Sequence, residues 1–106
     1  MKKHQTVPSV AELRQIGYKV KVTHQRMFYR FNPKTGRKHQ KLLTWAEAID
    51  KYPEFYLDAN GGMVTVNILT PDSNRNVVGV ARTNMTDSYV RKVGLVKALG
   101  RAYGQL

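Results

Sequence analysis

The last third of the chain constrains the fold most, because two strand patterns joined by a turn lead there into a helix. In residues 63–69 apolar side chains alternate with polar ones, the period of a half-buried strand. Pro71, Asp72 and Asn74 favour a turn, and residues 77–82 form a second strand pattern. The sequence therefore predicts a β-hairpin, in which Gly79 indicates a bulge or a close approach of the following helix.

The helix after this hairpin is predicted to begin near Thr86, a good N-cap residue, and to end near Tyr103. At about 100° per residue, apolar side chains cover more than half of its circumference, an arc that would permit a homodimer. Gly94 lies between its cations, although glycine inside a helix costs about 1 kcal/mol relative to alanine. Two interpretations of Gly94 stay open: it admits a phosphate backbone, or it allows close packing on the sheet.

Two shorter helices are predicted upstream from capping boxes, in which a Ser or Thr and a Glu three residues later bond each other's backbone amides. Ser9 with Glu12 predicts a helix over residues 10–16, and Thr44 with Glu47 predicts one over residues 45–52. Trp45 belongs to an apolar stripe of the second helix and is expected in the core.

The strands between these helices follow from alternation and turn chemistry. Residues 18–23 and 27–31 have strand patterns with an expected turn at residues 24–26, and residues 37–41 form a third short strand or a loop. Residues 60–62 are expected to form a loop that enters the final hairpin.

The elements follow the order α-β-β-(β)-α-β-β-α. This order predicts one α+β domain over residues 9–106, an antiparallel sheet of 4–5 strands with helices on one face. Residues 1–8 are expected to form a flexible N-terminal arm.

Positive charge is the strongest global signal of function. The 18 Lys and Arg residues exceed the 7 Asp and Glu residues by 11, and such an excess indicates a polyanionic partner, most often nucleic acid. Two alternatives stay open: charge that only maintains solubility, and binding to an acidic protein surface.

Cations alternate with aromatic residues between Arg26 and Lys41, and no acid interrupts them. Such patterns occur on nucleic-acid-binding surfaces, because cations neutralise phosphates and rings stack on bases. The alternative is a charged strand whose rings are core residues. The candidate stacking or anchor residues are Phe28, Tyr29 and Phe31. The candidate phosphate-binding residues are Lys19, Lys21, Arg26, Arg30, Lys34, Arg37, Lys38, Lys41, Arg91, Lys92, Lys97 and Arg101.

The last two strands and helix, with Thr83-Asn84-Met85 leading into Ser88-Tyr89-Val90-Arg91-Lys92, resemble the end of double-stranded-RNA-binding domains. This resemblance implies that Arg91 and Lys92 meet phosphates across a major groove. In its size, charge and lack of cysteine the chain also resembles small phage or mobile-element proteins.

Other classes of function find little support in the sequence. The chain has no cysteine, no run of 18 apolar residues and only three scattered histidines, so we expect no membrane span, metal site, cofactor or enzymatic activity. A cytoplasmic location is the expectation from the absence of cysteine. The predicted function is binding to RNA or DNA without strong sequence readout. The alternative is a protein-interaction module, such as a phage-type inhibitor of an enzyme or nucleoprotein complex.

Overall fold

A computed structural model describes residues 7–106, and most of the predicted N-terminal arm therefore lies outside the described residues. The described chain is one small α+β domain with a four-stranded sheet and three helices, so the predicted fold class is confirmed. The elements in chain order are α1 (Val10–Gln15), β1 (Lys19–Phe31), β2 (Lys38–Leu43), α2 (Trp45–Lys51), β3 (Tyr56–Leu69), β4 (Asn76–Ser88) and α3 (Arg91–Tyr103).

The sheet is antiparallel throughout, with strand order β2-β1-β3-β4. Val20 packs in the main core with residues of α1 and α3, while Phe28 packs in a second cluster with Ala48 of α2. Val20 and Phe28 lie an even number of residues apart on β1, and alternate residues of a strand face the same side. All three helices therefore cover one face, and we call the other side the open face.

Close contact between α3 and the sheet depends on glycine and alanine. Ala98 and Ala102 are fully buried, and a Cβ built on Gly79 would overlap the Ala98 carbonyl oxygen and the Ala102 amide nitrogen. Gly79 thus marks a close approach of α3 to β4. Its pairing with Val66 is regular, without a bulge. A Cβ on Gly94 would lie 2.7 Å from Val64 Cγ2, so Gly94 packs on the sheet and does not admit a phosphate backbone.

Both predicted capping boxes are present. The Ser9 hydroxyl accepts the Glu12 N–H at 3.1 Å while the Glu12 carboxylate accepts the Ser9 N–H at 2.8 Å. The same reciprocal bonds join Thr44 and Glu47 at the start of α2. Each pair satisfies backbone donors that a helix start otherwise leaves free.

Three predicted boundaries are wrong. Residues 24–26 continue β1, because Arg26 pairs with Leu43 on one side and with Gly62 on the other. Residues 60–62 lie inside β3, where the register shifts beside Gly62, and only glycine readily adopts its φ of 148°. β4 extends to residue 88, so Thr86 is no N-cap and α3 begins at Arg91.

Candidate nucleic-acid interface

Few of the positive charges are balanced by nearby acids. Without Lys2 and Lys3, the described residues hold 16 of the 18 Lys and Arg residues. Two of these form ion pairs in residues 7–106: Arg30 with Glu54 at 3.8 Å and Lys38 with Asp58 at 3.5 Å. The other fourteen have no Asp or Glu carboxylate within 4.0 Å among the described residues. Their mutual repulsion decreases when an anion binds.

An exposed aromatic cluster lies on the open face where β1, β2 and β3 meet. Tyr29, Phe31, Tyr56 and Lys38 form it, and we call it the ring platform. The Tyr29 ring centroid lies 5.7 Å from that of Phe31 and 5.9 Å from that of Tyr56, with Lys38 Nζ 4.8 Å away. Phe31 is 58% exposed and Tyr56 is 66% exposed, so two ring surfaces are accessible to a ligand.

Strand register and the β1–β2 turn build the ring platform. Phe31 pairs with Lys38, and Tyr29 pairs with Tyr56, which brings side chains from three strands onto one face. The Asn32 side chain accepts the Lys34 N–H at 2.9 Å and closes the turn. This turn displays the exposed Lys34 beside the platform.

One acid borders the ring platform. The pKa of Asp58 lies below its usual value, chiefly because the Asn60 backbone N–H bonds its carboxylate and further because of the charge of Lys38. Asp58 is therefore ionised at neutral pH and balances the charge of Lys38.

The open face continues along β1 away from the ring platform. Lys19 and Lys21 are exposed there and lie on the same side as Tyr29 and Phe31. Arg82, whose partner on β3 is Met63, extends this side onto β4 and lines a shallow cavity of about 480 Å³ beside Met27. The thirteen residues of β1 span roughly 40 Å at about 3.3 Å per residue. The open face is thus a long track with cations at one end and rings at the other.

A second basic site lies on the helix side, where β1 and the starts of α2 and α3 surround a cavity of about 420 Å³, the α2–α3 groove. Arg26 and Arg91 are its cations, and no acid is among the described residues that line it. The Arg26 guanidinium lies 4.7 Å from the Tyr89 ring centroid, and its Nε is buried without a hydrogen-bond partner in residues 7–106. The lining residues are Val22, Thr23, His24, Arg26, Thr44, Trp45, Tyr89 and Arg91.

The polar groups of the groove respond to burial and to the two arginines. His24 Nδ1 lies 2.9 Å from the Tyr89 hydroxyl. Burial, followed by the charge of Arg91, lowers the pKa of His24 below 6.5, so the imidazole is mostly neutral at pH 7. Burial raises the pKa of Tyr89, and the charges of Arg26 and Arg91 partly oppose this increase. The positive charge of the groove therefore comes from the arginines.

The predicted phosphate-binding residues do not form one surface. Lys19, Lys21, Lys34 and Lys38 lie on or beside the open face, and Arg26 and Arg91 line the groove. Four more flank other parts of the domain: Arg30 and Arg37 line a cavity at the β1–β2 turn, Lys41 lies over the Tyr52 ring, and Lys92 lies beside α1.

The last two predicted cations lie on α3, next to β4. Lys97 lines a cavity that also contains Arg82 and Asp87. Arg101 donates to the Val80 carbonyl at 2.5 Å, and Gln105 donates to the Val78 carbonyl at 2.7 Å. Arg101 is thus occupied by the backbone of β4.

Two predictions about aromatic residues are wrong. Phe28 is 3% exposed and packs with Leu43 and Ala48, so its ring cannot stack on a base. Trp45, expected in the core, is 56% exposed and forms a wall of the groove. It is the first residue of α2, and its ring makes an edge contact with Phe28. In the sequence, the position of Trp45 directly after the N-cap Thr44 is the feature that indicates this exposure.

Tyr89 and Arg82 line the candidate sites, and the sequence does not identify them. A helix that begins near Thr86 would include Tyr89 in its apolar arc, but Tyr89 precedes α3. The strand pattern predicts only that Arg82 ends a strand. Their partners are distant in sequence, and no local pattern identifies them.

Within residues 7–106, no group of three or more His, Cys, Asp or Glu residues is arranged to hold a metal ion. No helix in the same range has the length and apolar character needed to cross a membrane.

Comparisons with protein-family models, curated proteins and solved structures find no match for this chain.

Proposed function

We propose that the protein binds single-stranded nucleic acid on the open face, with phosphates on its cations and unpaired bases on the ring platform. The observation that carries this proposal is the shared face of exposed rings and uncompensated cations. Lys19, Lys21 and Arg82 have no ion-pair partner among residues 7–106, and Phe31 and Tyr56 are more than half exposed.

The shape of the surface favours single strands over duplexes. A duplex hides the faces of its bases within the stack, whereas an unpaired strand can lay them on protein rings. The two exposed rings, Phe31 and Tyr56, flank Tyr29 on the open face. Each stacked base contributes about 1–3 kcal/mol by alanine substitution.

Sequence readout is expected to be weak. Lysine is a flexible point charge, and phosphate contacts position a strand without distinguishing its bases. Stacking tolerates all four bases because each has a π face. Binding should therefore depend on strand length and salt more than on sequence.

A salt titration tests the proposal. Fluorescence anisotropy would measure binding of labelled single-stranded RNA, single-stranded DNA and the corresponding duplexes between about 0.05 and 0.2 M salt. We expect the single strands to bind more tightly than the duplexes, with affinity that falls steeply as salt rises. No single-strand binding above background at about 0.15 M salt would contradict the proposal.

A matched pair of charge variants locates the surface. Lys19→Glu with Lys21→Glu changes the open face, whereas Lys92→Glu with Lys97→Glu makes the same charge change on α3. We expect the open-face pair to weaken binding by about tenfold or more and to reduce the salt slope by about 1.4, at 0.7 per phosphate contact. Equal losses in both variants would place the nucleic acid elsewhere.

A protein partner is the second candidate, because α3 leaves apolar side chains uncovered. Val93 is 49% exposed and Val96 is 63% exposed, and Val96 lines an apolar cavity of about 550 Å³ between α1 and α3. A patch of this kind indicates an interaction site. If a second copy covers it, sedimentation will show a dimer that Val96→Glu dissociates.

A further inference from the structure

Beyond strand binding on the open face, we infer that the α2–α3 groove binds a nucleotide, with its phosphate on Arg26 and Arg91 and its base on Trp45. The site faces the helix layer, and it is separate from the ring platform on the opposite side of the sheet. The ligand class follows from three properties of the groove: its charge, its rings and its size.

The charge of the groove fits a phosphate. Two guanidiniums and no acid are among the described residues that line it, and guanidinium groups bind phosphate oxygens with paired N–H donors. The Tyr89 ring lies against Arg26, and the buried Nε of Arg26 has no hydrogen-bond partner. Arg91 is exposed at the start of α3, where no side chain caps the first backbone amides and the first turn has no acid. An anion at this position would contact the Arg91 guanidinium and the first backbone amides of α3, for which the described residues supply no side-chain cap.

The rings and the volume fit a base attached to that phosphate. Trp45 is 56% exposed although indole is largely apolar, and stacking on a base would remove part of its surface from water. A cavity of about 420 Å³ falls within the range of about 300–1,000 Å³ for small-molecule sites. Inorganic phosphate alone would use the arginines and leave Trp45 exposed, so a nucleotide satisfies more of the site.

Gly62 and Tyr89 show how the fold forms the groove. A Cβ on Gly62 would overlap the Tyr89 ring, so the glycine allows this ring to lie against β3. From there the Tyr89 hydroxyl reaches His24 and the ring face meets Arg26. The position of Arg26 therefore depends on a glycine and a tyrosine 27 residues apart.

The test uses Trp45, the only tryptophan in the chain, as a reporter inside the site. The full chain would be titrated with AMP, with adenosine and with a 5′-phosphorylated dinucleotide, while Trp45 emission and the heat of binding are recorded. We expect saturable binding at about 1 mM or below for a phosphorylated probe, and binding of adenosine weaker by about tenfold or more. Binding of AMP would identify a free nucleotide as the ligand, and binding of the dinucleotide alone would identify the end of a strand.

Two variants and a matched control complete the test. Arg91→Gln removes one guanidinium at an exposed position, and we expect it to weaken nucleotide binding by about tenfold or more. Trp45→Ala, followed by calorimetry, should weaken binding by about fivefold or more. Lys97→Gln makes the same charge change as Arg91→Gln outside the groove and should leave nucleotide affinity unchanged.

The contrary outcomes are defined for proteins whose circular dichroism and melting temperature match those of the wild type. An absence of saturable binding of AMP and of the dinucleotide up to about 10 mM would overturn the inference. Equal affinity for adenosine and AMP, or an Arg91→Gln variant that binds like the wild type, would also overturn it. None of these results bears on strand binding, because Trp45 lies on the helix side of the sheet and the proposed strand site lies on the open face.

Discussion

The ring platform and the α2–α3 groove combine the same kinds of residue on opposite sides of one sheet. The ring platform is open, and Asp58 balances its Lys38 at 3.5 Å. The groove is concave, and the described residues that line it include no acid. We therefore expect curvature and nearby acids, more than residue type, to distinguish the ligands of the two surfaces. Exposed neighbouring rings suit successive bases of a strand, whereas a cavity with two guanidiniums suits a single nucleotide.

The largest expected effect comes from removing the two exposed rings of the platform. Phe31→Ala with Tyr56→Ala should weaken single-strand binding by about 2 kcal/mol or more, because each ring stacks one base. Fluorescence anisotropy with a labelled oligonucleotide would measure this loss. Ile49→Ala is the matched control, since Ile49 is 67% exposed on α2. If both variants bind like the wild type, bases do not stack on the ring platform.

A glycine substitution should disrupt the groove and leave the ring platform intact. Gly62→Ala adds a methyl group that collides with the Tyr89 ring at a backbone φ that alanine rarely adopts. The free energy of unfolding in urea should fall by about 1–3 kcal/mol, and nucleotide binding at Trp45 should be lost.

Gly36→Ala provides the control for backbone strain. Gly36 has a φ of 71°, but no atom lies within 4 Å of a Cβ built there. This variant should lose about 1 kcal/mol of stability and bind the nucleotide normally. Equal loss of nucleotide binding in both glycine variants would show that Tyr89 does not define the groove.

A substitution with a smaller expected effect removes the acid from the ring platform, so that its cation, like those of the groove, has no acid beside it. Asp58→Asn removes the acid beside Lys38 and keeps an oxygen that can accept the Asn60 N–H. Single-strand binding at low salt should tighten by about 0.2–1 kcal/mol, the usual range for an exposed pair of charges. Asp72→Asn, in the β3–β4 turn, should change binding much less. Weaker binding by Asp58→Asn would indicate that Asp58 positions Lys38 for the strand.

The smallest expected effect is a dependence of the free energy of unfolding on pH, which arises from His24 in the groove. Because folding lowers the pKa of His24, the unfolded chain binds more protons, and stability decreases as pH falls below about 6.5. Paired carboxylates with lowered pKa, such as Glu12 and Glu47, act in the same direction at lower pH. Urea midpoints at pH 7.5 and about 5.5 would measure the slope, and His24→Gln should reduce it. An unchanged slope in His24→Gln would show that folding does not lower the pKa of His24.

The sequence predicted those parts of the fold that depend on neighbouring residues. Both capping boxes formed where Ser9 and Thr44 indicated them, and Gly79 marked the contact between β4 and α3. The turn predicted at residues 24–26 failed because strands on both sides pair with Arg26. Such tertiary pairing overrides local propensity.

The two sites were predictable to different degrees. The ring platform combines Tyr29, Phe31 and Lys38, which lie within ten residues of one another and stand out as a basic aromatic segment. The groove joins residues of β1, α2 and α3 that are distant in sequence, and Trp45 was assigned to the core by helical spacing. Spacing gives the side of a helix and does not reveal whether a neighbouring element covers it.

The contacts of Arg101 and Gln105 with β4 also affect self-association. β4 is an outer strand of the sheet, and an outer strand offers backbone groups to which another chain can add a further strand. The side chains of Arg101 and Gln105 occupy the carbonyls of Val80 and Val78, two alternate residues of this strand. Because each of these acceptors already has a side-chain donor, we expect a neighbouring strand to pair with this stretch of β4 only after displacing the last turn of α3 and the residues after it.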